Sequence, residues 1–221
     1  YYADCQAKCE VAKSKPNCQI GSIYYSDGSC ALPENHDTSK TVLGIVVHVI
    51  DGGKHGQIMA PWPVDKNGNI LKTAMNSAID WCRQASHIPG LPEISSVEEA
   101  IKDYDSCGNT DKLVAAGNAS VYPAAWAARK YAPTTDTAGK WCLPAGGIMI
   151  NINNNLTTFE NAISKIGGID VLRFTLWSSS EISSDEVWYA DFNTISILDI
   201  ISKENLRGGV YTTTVRPVLE F

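Results

Sequence analysis

Residues 177–192, WSSSEISSDEVWYADF, decide how the last third of the chain is read. Two tryptophans, Trp177 and Trp188, bracket a run of small polar residues. From there the order alternates, so that Trp188, Ala190 and Phe192 share one side of a strand and Val187, Tyr189, Asp191 and Asn193 the other. One side is expected to enter a core and the other to stand toward a visitor. Carried across 178–213, the outward set gives Ser183, Asp185, Tyr189, Asp191, Asn193, Asn205, Arg207 and Tyr211 as candidate ligand-binding residues. Tyrosine among small polar residues offers contact area at low entropic cost with adaptable hydrogen bonding. An ordinary solvated sheet face would show the same composition. Trp177, Trp188 and Phe192 are assigned to the core.

The chain has 221 residues, 44% of them hydrophobic, enough for one sizeable core with an appended tail. Six Trp and nine Tyr against four Phe favour rings with one polar edge at a wet boundary. A formal net charge of −6 and no basic run exclude a nucleic-acid backbone as partner. The longest apolar run, VLGIVVHVI at 42–50, has the length of a strand rather than of a membrane span. The chain opens on Tyr1 rather than Met, as expected of a processed or trimmed N terminus.

Seven cysteines point to compartment. Cys5, Cys9, Cys18 and Cys30 crowd the first thirty residues, and Cys82, Cys107 and Cys142 follow. No CxxC pair occurs and only His36 lies near the cluster, which disfavours zinc. Disulfides in an exported protein explain the crowding, since a short tail without its own core needs covalent staples. Nested Cys5–Cys30 and Cys9–Cys18 bonds are one of three possible pairings of these four. The odd total leaves a thiol, an intermolecular bond or a partner beyond this chain. No cofactor and no metal site is expected.

Residues 1–40 read as a Cys-rich tail or linker and 41–221 as the globular domain. Within the tail, DG at 27–28 marks a turn. The β-branched run 42–50 suits a strand buried on both faces, paired as a hairpin with GQIMA at 56–60. Helical patterns follow at 73–86, 95–104 (capping box Ser95/Glu98), 110–117 (stopped by Gly117), 121–133 (Pro123 in the first turn) and 157–168 (box Thr157/Glu160, stop Gly167). Strands dominate again in VLRFTLWSS, VWYADF, TISILDIIS and GGVYTTTVRPVLEF. Strand, helices, then strands is an α+β order, with a small antiparallel sheet built from both chain ends.

Catalytic patterns are weak. There is no GxSxG elbow, and Ser178–Ser180 have no adjacent His. The pairs Glu98–Glu99 and Asp185–Glu186 sit in polar windows where carboxylates stay ionised and solvated. Asp103, Asp105, Asn109 and Asp111 are oxygen-rich but lack the glycine and terminal Glu of a calcium loop. NINNN at 151–155 is expected in a loop, and Asn118 and Asn155 head glycosylation sequons. His48 and His55 have no ligand at metal spacing.

Several stretches resemble a known family: KWCLPAGG at 140–147 with the helix after it, LWSSSE with VWYADF, and VYTTTVRPVLEF, supported by GSIYYSDGS, LGIVV and YPAAWAA. Together they resemble the C-terminal domain of Legionella collagen-like proteins, from about residue 21 onward. The resemblance implies a C-type-lectin-like fold related to formylglycine-generating enzymes, in a secreted or surface-attached bacterial module. It also implies kinship to the variable proteins of diversity-generating retroelements, although NTISILDIIS at 193–202 is more apolar than usual there. The related oxidases use a late cysteine pair, and this chain has no cysteine after Cys142, which disfavours that activity. Cys142 stands where the family has Arg or Tyr, which implies a local disulfide to Cys82 or Cys107; Ile148 replaces the family's usual Glu.

The expectation is therefore a non-enzymatic extracellular or cell-surface recognition module, binding a glycan or protein ligand through the 178–213 face. The alternative is a structural subunit of a bacterial surface filament or fimbria, self-assembling through the N-terminal tail. A formylglycine-generating-like oxidase comes third.

Overall fold

VLGIVVHVI forms β3 (Val42–Ile50) over the full span its composition sets. Its side chains feed two separate cores: Leu43 and Val46 face one, Ile45 and Val47 the other. A strand buried on both sides is what an unbroken apolar run predicts. The fold is a computed structural model that describes residues 17–72, 78–84, 86–173, 175–194, 197–203 and 213–221.

Around β3 lies a five-stranded antiparallel sheet in the order β2-β1-β3-β4-β9. It uses β1 (Ile23–Tyr25), β2 (Cys30–Ala31), β4 (His55–Met59) and β9 (Val218–Glu220), so both chain ends contribute. The β3–β4 turn needs left-handed backbone at Gly52 and Gly53, with φ of 65° and 87°. At Gly53 an added Cβ would also meet the Cys18 carbonyl oxygen at 2.0 Å. A second, four-stranded sheet runs β7-β6-β5-β8. It comprises β5 (Thr175–Glu181), β6 (Glu186–Asp191), β7 (Leu198–Ser202) and β8 (Thr213–Thr214), with β8 parallel to β5.

Among the described residues five α-helices lie between the strands: α1 (Val97–Ala100), α2 (Ser106–Ala116), α3 (Pro123–Lys130), α4 (Gly146–Asn154) and α5 (Leu156–Lys165). Phe159, Ala162 and Ile163 of α5, with Ile148, Met149 and Ile152 of α4, pack against Ile45, Met59, Leu176 and Trp188. The second core gathers Trp81, Trp141, Trp177 and the alanines of α3. The α+β class thus stands, with two sheets rather than one.

Several expectations need correcting. The boundary at residue 40 does not hold, because Ile23 and Tyr25 are buried core residues whose strand pairs with β3. Among the described residues the cysteine bonds are Cys18–Cys30 and Cys107–Cys142. Both nested pairs are therefore excluded, since each used Cys18 or Cys30; Cys5 and Cys9 lie outside the described residues. Of the two partners implied for Cys142, Cys107 is the one; Cys82 is buried beside the Gln84 carbonyl at 3.4 Å. The described part of the expected 73–86 helix, residues 78–84 and 86, is not helical. Its backbone is claimed from elsewhere: the Ile79 N–H donates to the Thr213 carbonyl at 3.1 Å and the Arg83 N–H to Val121 at 2.9 Å. Tertiary bonds override local propensity here.

Smaller shifts follow the same logic. The first helix is capped one residue later, the Ser96 Oγ accepting from the Glu99 N–H at 3.3 Å. Residues 151–154 of NINNN belong to α4 rather than to a loop. The Thr157/Glu160 box is not formed, because Glu160 accepts from the Val171 N–H at 3.1 Å instead.

Candidate functional site

The outward face expected of β6 is covered. Val187 and Tyr189 are buried in one cluster with Trp81, Ile88 and Leu91, so the 79–94 segment lies where a ligand was expected. The Tyr189 hydroxyl reaches the Asp199 carboxylate at 3.5 Å. Trp188 is also buried, as assigned, its indole N–H donating to the Ile94 carbonyl at 2.8 Å. Trp177 and Phe192 are core residues too.

The remaining candidates do not converge. Ser183 and Asp185 sit in the β5–β6 turn, the Ser183 hydroxyl accepting from the Asp185 and Glu186 N–H groups at 3.2 Å each. Asp191 closes the opposite end of β6 and Asn193 lies just past it, where the Asp191 carboxylate accepts from the Asn193 N–H at 2.9 Å. Asn193 also donates to the Leu172 carbonyl at 2.7 Å. A strand of this length keeps the two groups about 15–20 Å apart. Asn205, Arg207 and Tyr211 fall outside the described residues.

Two arrangements replace that face. The first is a buried clasp. Glu181, at the end of β5, accepts from the Lys203 ammonium, with both side chains withdrawn from solvent. Lys203 also donates to the Ser86 carbonyl at 2.9 Å and lies 5.2 Å from the centre of the Trp81 ring. The half-exposed His87 lies 3.1 Å from the second Glu181 oxygen and 3.3 Å from Glu93. Burial pushes the Glu181 carboxyl up, and the Lys203 charge opposes this. The clasp fastens the 79–94 segment onto the second sheet. It has the marks of a lock rather than of a reaction centre.

The second is an open cleft of about 670 Å³ beside α5, lined by Trp62, Lys72, Glu160, Asn161, Ser164 and Asp170, among others. Its wall is set by backbone: the Ile169 N–H donates to the Pro61 carbonyl at 3.1 Å, and Gly168 is so close to Pro61 that a Cβ would meet the same oxygen at 2.7 Å. Gly167, at φ 68°, carries the chain out of α5 beside open space. Glu160 and Asp170 line the cleft together, and the Glu160 carboxylate accepts from the Val171 N–H at 3.1 Å. Burial, with Asp170 adding to it, pushes the Glu160 carboxyl up to about 7. The fully buried Arg216 guanidinium lies in Coulombic reach of both acids. Its Nε and one terminal nitrogen each donate, at 2.8 Å, to the Ala60 and Pro61 carbonyls.

No family model and no curated protein matches the chain. Its fold is similar to the crystal structure of a fimbrial protein from Bacteroides ovatus ATCC 8483, with a TM-score of 0.53 and 15% identity. The match covers 92% of this chain and 48% of the other, so the chain spans about half the length of that protein. The likeness is one of fold. Among the described residues no helix is long and apolar enough to cross a membrane, and no group of three or more His, Cys, Asp or Glu gathers as a metal site.

The cleft leaves little trace in the sequence because its parts come from distant positions. Trp62 precedes a proline in an irregular segment, and Glu160 was assigned to a cap. The one available signal was IGGID at 166–170, where two glycines after a helix meet an acidic residue.

Proposed function

We propose that this chain is a domain of an exported, surface-displayed protein of the fimbrial kind, acting by assembly or recognition and not by catalysis. The observation that carries the reading is the fold likeness to a fimbrial protein over 92% of the chain. Two disulfides fit an oxidising compartment. Self-association of such domains into a filament is the structural form of the proposal.

A second reading, recognition of a glycan or protein ligand, is favoured by the cleft beside α5. The motifs resembling the Legionella collagen-like C-terminal domain support it, with the C-type-lectin-like fold that they imply.

Thiol trapping on intact cells tests the first reading, combined with shearing of the surface. The full protein is expected in the sheared fraction, with Cys107 and Cys142 resistant to alkylation until a reductant is added. Recovery in the cytoplasm with both thiols alkylated at once would overturn it.

A further inference from the structure

We propose that the cleft beside α5 binds a neutral pyranose residue of a glycan. This rests on the recognition reading and gives it a site and a ligand class. The cavity, about 670 Å³, falls within the ~300–1,000 Å³ usual for small-ligand sites.

The lining selects the chemistry. Trp62 is half-buried, so part of its ring is presented to the cleft, where the C–H face of a sugar ring can lie against it. Asn161 offers an amide that both donates and accepts, and Ser164 a hydroxyl that does the same; both are exposed on the C-terminal half of α5. Glu160 and Asp170 supply carboxyl oxygens as acceptors, and the Glu160 carboxyl, pushed up by burial, supplies a donor while it keeps its proton. Vicinal hydroxyls of a pyranose need this mixture, since each hydroxyl is at once a donor and an acceptor.

Charge argues for neutrality. The two acids are offset by Arg216, fully buried within Coulombic reach of both, and by Lys72 on the rim. An anionic ligand would meet the two acids, and a cationic one would meet Lys72. The cleft therefore presents hydrogen-bonding groups of both kinds without a dominant charge. Gly167 leaves the wall free of a side chain beside open space, which lets a flat ligand approach the backbone.

Ligand-observed saturation-transfer NMR on the whole chain, disulfides intact, tests the assignment. The probes are methyl glycosides of hexoses and of N-acetylhexosamines, with glucosamine and glucuronic acid as cationic and anionic counterparts. At least one neutral glycoside is expected to receive saturation. Its dissociation constant should rise about ten-fold or more in Trp62→Ala and in Asn161→Ala. Ser164→Trp, made at an exposed position that tolerates bulk, should fill the cleft and abolish transfer, and it carries the test should Trp62→Ala fold poorly. The site is overturned if no neutral glycoside responds, if only charged probes respond, or if transfer survives Ser164→Trp. Any of these outcomes in a protein shown to be oxidised and surface-located removes the cleft assignment and leaves the fimbrial reading standing.

Discussion

Lys203 and Glu181 form an ion pair in which neither side chain reaches solvent, and the pair joins the end of β7 to the end of β5. The 79–94 segment depends on it. Ser86 accepts from the same ammonium, the Ile88 N–H donates to Glu181, and Trp81 lies against the Lys203 charge. Removing one partner leaves the other charge buried without its counter-ion. Lys203→Met should therefore cost about 3–5 kcal/mol, and the double variant Lys203→Met/Glu181→Leu should recover part of that loss. Urea unfolding would show it as a lowered midpoint at unchanged slope. A single variant that loses less than about 1 kcal/mol would mean the pair is solvated like a surface bridge.

Tyr189 and Trp188 are neighbours on opposite faces of β6, and both faces are closed. Trp188→Ala and Tyr189→Ala should each destabilise by about 3–5 kcal/mol, since each empties a packed aromatic site. Chemical denaturation of the two variants checks this. If Tyr189→Ala unfolded like the wild type, the 79–94 segment would not cover that face.

These two residues also show what could be read from the chain beforehand. Alternation in VWYADF located the strand, and the β-branched run 42–50 located β3 with both faces buried. Alternation reports which residues share a face, but not whether a distant segment covers it. The cover here is the 79–94 stretch, fastened by bonds from Ile79 to Thr213 and from Trp81 to Ser178. Such bonds leave no periodic trace, and the part of this stretch up to residue 86 reads as a helix by its apolar spacing. The tail assignment failed for a related reason. Strands of two or three residues such as β1 and β2 are too short to show a period, and only their pairing with β3 reveals them. The cleft was illegible because Pro61–Trp62 and Gly168–Ile169 meet through backbone contacts about a hundred residues apart in the chain.

The Cys107–Cys142 bond closes a loop with a sequence separation of 35. It ties α2 to the segment that bridges to β9, where the Cys142 N–H donates to the Val218 carbonyl at 2.8 Å. Cys107→Ala/Cys142→Ala should lower stability by about 3–4 kcal/mol, the loop-entropy expectation for that length. Reductant should then have a smaller effect on the melting temperature of the double variant than on that of the wild type. Equal sensitivity in both would place the stabilising covalent link elsewhere.

Glu160 gives the cleft a measurable dependence on pH. Its carboxyl is raised from 4.5 to about 7, chiefly by burial and further by Asp170, against the opposing charge of Arg216 and the Val171 N–H. Between those two values the folded protein keeps a proton that the unfolded chain has already lost. This contribution to stability is therefore complete below about pH 4.5, declines as pH rises toward 7, and is level above that. Glu160→Gln retains an oxygen for the Val171 N–H but has no proton to release. Melting temperatures from pH 4.5 to 8 should thus fall less steeply in Glu160→Gln than in the wild type, with the curves separating most above pH 7. Parallel curves across that range would show that Glu160 ionises in the fold as it does in water.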